Sequence, residues 1–175
     1  MCGVNFFVEE SKSFSNQQTF GLCDDENNKP AYIDENIKNR ETLWIGEVLN
    51  EFQNEVSFYP IDNCVPLTRE DGTLAKRCEG LLCYSGNIVF TELKNRKLVP
   101  SDWLGEAMEQ LKETIEIFST NNTACECKIK AWACNKQLAN QNYFQQVQKF
   151  KEDTKGLAIC KRGCVLSVSR RFDIK

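Results

Sequence analysis

The stretch CEGLLCYSGNIVFTELKNR, residues 78 to 96, constrains this chain more than any other. Leu81, Leu82, Ile88, Val89, Phe90 and Leu93 fill consecutive positions on either side of Ser85-Gly86, a turn pair, so the stretch reads as a hairpin covered on both faces and central in a sheet. Into that setting the chain puts Glu79, Glu92 and Lys94. With a Ser85-Gly86 loop Glu79 faces Glu92, and with a Gly86-Asn87 loop it faces Lys94. Because strand side chains alternate, all three share one face in either register. Two like charges facing each other in a sheet cost roughly 0.2 to 1 kcal/mol. A divalent cation between the acids would offset that cost, with Lys94 beside it to hold a third negative group such as a phosphate. The alternative is a Glu-Lys cross-strand pair on a solvated edge.

Composition narrows the chemistry available. The 175 residues are 41% hydrophobic and 27% charged, as expected for one soluble domain with a core of its own. There is no histidine, which excludes serine-histidine and cysteine-histidine catalysis within this chain and leaves carboxylates, lysine, tyrosine or a hard cation held by oxygen. Ten cysteines fall at irregular spacings with no Cys-x-x-Cys, so reduced, mostly buried thiols are expected rather than a disulfide framework or a zinc or iron-sulfur site. A net charge of -3 argues against coating nucleic acid nonspecifically but leaves room for a local basic face. The apolar piece Val4 to Val8 is too short for a secretory signal or a membrane span, so the cytoplasm and no membrane partner are expected.

Along the chain, Ile37, Trp44, Ile45, Val48, Leu49 and Phe52 recur at helical spacing and predict a first helix over 34–53. Val56 and Phe58 predict a strand ending or bulging at Pro60, and Asp71-Gly72 marks a turn. Trp103, Leu104, Ala107, Met108, Leu111, Ile115 and Phe118 predict a helix with Ser101 as its N-cap. Cys127, Ile129, Ala131 and Ala133 alternate as one face of a strand. Tyr143, Phe144, Val147 and Phe150 mark a polar helix, and residues 156–169 read as a last strand pair around Arg162-Gly163. Helices interleaved with a mixed sheet predict an α/β fold in a single domain.

CEGLL followed by IVFTELK resembles the D/E…ExK signature of the PD-(D/E)xK nuclease superfamily, and the order helix, three strands, helix, strand over about residues 34 to 135 is similar to that family's core. The resemblance implies a restriction-endonuclease-like core, a central mixed β-sheet flanked by helices, with residues 1–33 unassigned. It implies that Glu79, Glu92 and the carbonyl of Leu93 bind Mg²⁺ or Mn²⁺, and that Lys94 positions water and steadies the transition state. The implied activity is phosphodiester hydrolysis of nucleic acid, DNA ahead of RNA, in restriction, repair or defence. Family nucleases are often dimers, so a homodimer is a further expectation. Glu41, on the apolar stripe of the first helix, corresponds to an acid that the family aims at the metal, or is an acid favoured near a helix start. Gln110 matches a glutamine that several branches place near the site, or is a residue at the core's rim. Asp62 is a second metal ligand or a turn residue. Arg96, Lys97, Lys128 and Lys130 are candidate phosphate contacts or solvated surface. Glu79 stands where the family most often has aspartate, and the alternative function is a non-catalytic module that keeps this fold to bind nucleic acid or protein.

Overall fold

The structure, a computed structural model, describes residues 3–25, 28–97, 102–124, 126–138 and 142–175. Among the described residues ten strands form two sheets: β1 (Ser13–Ser15), β2 (Thr19–Cys23), β3 (Tyr32–Asp34), β4 (Gly46–Asn50), β5 (Val56–Pro60), β6 (Gly80–Tyr84), β7 (Asn87–Lys94), β8 (Lys128–Asn135), β9 (Val165–Val168) and β10 (Arg171–Ile174). The described α-helices, α1 (Trp103–Asn121) and α2 (Phe144–Asp153), fall on either side of β8 in the chain. The fold is α/β.

The larger sheet runs β1-β5-β6-β7-β8-β9, antiparallel as far as β7 and parallel from β7 to β9. Its middle is the hairpin anticipated from its apolar runs, closed by Ser85-Gly86 with φ of 42° and 72°. Two positive φ angles suit a two-residue turn whose twist matches that of the strands it joins. The smaller sheet runs β10-β4-β2-β3.

Three layers result, because β7 alternates between two cores. Ile88 and Phe90 turn toward α1 with Leu111, Ile115 and Phe118, while Val89 and Leu93 turn toward the smaller sheet with Phe20, Val48 and Phe172. Both faces of β7 are covered, so Ile88 to Leu93 form an unbroken buried run. α1 is capped by Asp102, whose Oδ1 accepts from the Gly105 N–H at 3.0 Å. Ser101, the expected cap, lies outside the described residues.

The helix expected over 34–53 does not form. The segment makes one 3-10 turn, Ile37–Asn39, and then β4, buried at Gly46, Val48 and Asn50 and half-covered between them. Trp44 lies over Gly21, where a Cβ would fall 2.1 Å from the indole, and its Nε1 donates to Asp34 Oδ2 at 2.8 Å. Gly46 in turn admits the Trp132 ring, 2.7 Å from where its Cβ would be. Close contact across glycine outweighs a helical apolar pattern that already contains a poor helix former.

The last strand pair is also corrected. β9 extends the larger sheet parallel to β8, and the chain then passes through Ser169 and Arg170 to β10, parallel to β4 in the other sheet. The unassigned N-terminal segment supplies β1 to one sheet and β2 to the other. The eight described cysteines are free thiols, and Cys23, Cys78, Cys134, Cys160 and Cys164 are buried.

Candidate functional site

Gly80 pairs with Thr91, so Glu79, one residue before β6, continues that register opposite Glu92. Of the two registers open to the hairpin, the structure takes the one that sets acid against acid. Residues 77–79 are held there from two sides. The Glu79 carbonyl accepts from Ile61 N–H at 2.8 Å and Asp62 N–H at 3.4 Å, just past β5. From α1, Thr114 Oγ1 accepts from Cys78 N–H at 2.9 Å, and Gln110 Nε2 donates to the Arg77 carbonyl at 2.9 Å. Gly80 lets β6 approach β5: a Cβ there would meet Phe58 Cζ at 2.4 Å and the Tyr59 carbonyl oxygen at 2.7 Å.

Glu92 is wholly buried, and neither carboxylate oxygen has a hydrogen-bond partner. Lys94, two residues on and on the same face, brings Nζ to 2.6 Å from Glu92 Oε1, an ion pair at contact distance without the angles of a directed hydrogen bond. The same ammonium donates to Gln110 Oε1 at 2.8 Å. Gln110 thus joins Lys94 to the main chain before Glu79, and its side chain turns inward to the site.

Burial pushes the Glu92 carboxyl up to about 7, with Lys94 pulling it back down. Burial pushes Glu79 up further, to about 9, reinforced by Glu92, Asp24 and Asp62 and opposed by Lys94. A buried charge is costly unless paired, and one ammonium is shared by two acids here. Asp24, just past β2, is a contributor that the sequence reading missed. It comes from the other sheet, and its only sequence signal is an acidic pair, Asp24-Asp25, at a strand end.

Glu41 is not brought to this cluster. With no first helix to aim it, it sits in an exposed turn 3.5 Å from Arg170. Leu93 packs its side chain into the core on the opposite face, so any contribution from it is through the main chain. Asp62 lies at the rim, 3.0 Å from Arg77. Arg96 pairs with Glu106, Lys130 donates to Tyr84 Oη at 3.3 Å, and Lys128 is exposed at the start of β8.

Among the described residues no three His, Cys, Asp or Glu side chains stand close enough together to hold a metal ion unaided. Glu92, whose oxygens accept no directed hydrogen bond, and Glu79 opposite it are the acids that could hold Mg²⁺, which binds through one or two carboxylates and completes its shell with water and substrate phosphate. Cavities of about 640 Å³ between α1 and α2 and about 880 Å³ along α1 are lined by neither acid, so chemistry rather than volume locates the site. The chain matches no family model, no curated protein and no solved structure. Among the described residues no helix is long and apolar enough to cross a membrane.

Proposed function

We propose that the chain is a Mg²⁺-dependent phosphodiesterase acting on nucleic acid, a nuclease of the PD-(D/E)xK kind. The observation that carries this reading is Glu92: an acid with no exposure, facing a second acid and neutralised only by the one lysine ammonium 2.6 Å away. Structural acids are rarely left so, because an unsatisfied buried acceptor costs about 1 to 3 kcal/mol and more when charged. Support also comes from connectivity. An antiparallel β5-β6-β7 meander, a crossover through α1, and β8 parallel to β7 put the first acid at the start of β6 and the Glu-x-Lys at the end of β7.

In this reading Glu79, Glu92 and the Leu93 main-chain carbonyl hold the cation, which when bound supplies Lewis-acid neutralisation of phosphate charge and acidifies water. Lys94 has three protons to give: one side meets Glu92, another Gln110, and a third remains for a phosphate oxygen or the attacking water. Gln110 fixes the ammonium by accepting one of its hydrogen bonds at Oε1 and donating from Nε2 to the Arg77 carbonyl. Lys94 then steadies the negative charge that builds on phosphorus oxygens in the transition state.

Calorimetric titration of Mn²⁺ into wild type and Glu92→Ala tests the reading without a guess at substrate. Binding to wild type that is lost in the variant is the expected result. A second reading is favoured by the Lys94–Glu92 ion pair, which already neutralises one acid without a metal. In it the domain is a non-catalytic binding module, and wild type then takes up no Mn²⁺ and hydrolyses no diester.

A further inference from the structure

We infer that Arg77 is a substrate-binding residue, holding a phosphate next to the one that reacts. This rests on the phosphodiester reading of the Glu79–Glu92 site. Arg77 is unlike the chain's other ion-paired arginines in where its backbone lies. Its carbonyl receives Gln110 Nε2 at 2.9 Å, and Gln110 Oε1 holds the Lys94 ammonium at 2.8 Å, so its main chain belongs to the frame of the site. Its side chain leaves on the solvent side and meets Asp62 Oδ1 through one nitrogen, Nη2, at 3.0 Å. Asp62 is near enough to raise the carboxyls of both Glu79 and Glu92, which puts the guanidinium one carboxylate away from the acids.

The two cations of the site are differently placed. Lys94 is 11% exposed, locked between Glu92 and Gln110, and suits the reacting group. Arg77 is 27% exposed beside an Asp62 that is 35% exposed. Such a pair is worth little in itself and exchanges readily for a better anion. A guanidinium has five N–H donors in a planar fork that matches phosphate, more than a single carboxylate such as Asp62 can take up. A polymer whose reacting phosphate lies at Lys94 carries further phosphates beyond it, and Arg77 is a cation held beside the frame of the site, within reach of such a neighbour. The ligand class is therefore a polyphosphodiester strand rather than an isolated phosphate ester.

The test compares wild type, Arg77→Ala and Arg77→Lys on bis(p-nitrophenyl) phosphate, which has a single phosphate, and on DNA and RNA oligonucleotides, all with Mn²⁺. Expected for Arg77→Ala is a loss of roughly ten-fold or more in kcat/KM on the oligonucleotide, mostly through KM. Hydrolysis of the small diester should fall far less than that of the oligonucleotide, with partial recovery of the oligonucleotide activity in Arg77→Lys. The salt dependence of oligonucleotide binding should fall by about one power of salt concentration. Equal losses on both substrates, or none on either, overturn the inference, since a structural ion pair would not tell them apart. A wild type that hydrolyses only the small diester overturns it too while leaving the metal site standing. A wild type that neither binds Mn²⁺ nor hydrolyses a diester removes the underlying reading and this inference with it.

Discussion

Glu92 and Glu79 keep their protons at pH values where an exposed carboxylate has lost them, and that links the site to stability. Their carboxyls lie at about 7 and about 9 in the fold against an ordinary 4.5, so protons bind the folded chain more tightly than the unfolded one. The contribution is whole below pH 4.5 and is lost as pH rises through 7 and toward 9, by up to about 1.4 kcal/mol per pH unit for each proton retained. The thermal midpoint of the metal-free protein should therefore fall between pH 5 and pH 8. Mn²⁺ should raise it more at pH 8 than at pH 5, because at low pH protons already occupy the acids; an equal rise at both would refute a metal held by this pair. Glu79, Glu92 and Lys94 were legible as site candidates from spacing, since alternation along a hairpin fixes a face, whereas Gln110 entered only through the family resemblance. Asp24 was not, because its nearness to Glu79 crosses from one sheet to the other, and Glu41 was misplaced along with the helix assumed to carry it.

At the scale of elements, the hairpin and α1 follow from local pattern, while β4 does not. Residues 44–52 carry apolar side chains that satisfy a helical period, and the decisive residues are the ones with no side chain. Gly46→Ala separates the two possibilities: in a helix it would stabilise by about 1 kcal/mol. Here the added Cβ meets Trp132 Cη2 at 2.7 Å, so a loss of about 1 to 3 kcal/mol is expected in denaturant unfolding. Gly80→Ala belongs to the same class. Its Cβ would meet the Phe58 ring and the rigid Tyr59 carbonyl, pushing β6 from β5 at the residue beside Glu79. A loss of stability of similar size is expected, and because the shift reaches Glu79, Mn²⁺ affinity measured by calorimetry should fall in the folded variant as well.

Over the whole molecule, Trp132 on β8 ties the two sheets together. It is fully buried, packs on Phe172 of β10 with ring centroids 5.4 Å apart, and donates from Nε1 to the Ser169 carbonyl at 2.9 Å. Trp132→Ala should cost about 3 to 5 kcal/mol. Near-ultraviolet and far-ultraviolet circular dichroism should still lose signal in one coincident transition, since the core between the sheets is shared; two separated transitions would show that the smaller sheet unfolds alone. What the amino-acid order settled by itself was local: a central hairpin, a long amphipathic helix, an α/β class, and two acids and a lysine on one strand face. Those follow from periodicity within a few residues, which is fixed before any distant contact forms. Only the tertiary structure decided that residues 46–50 are a strand, that the chain's end divides between two sheets, and that Asp24 comes near Glu79. These depend on which surfaces meet across long stretches of chain, where a missing Cβ or a neighbour's ring outweighs local preference.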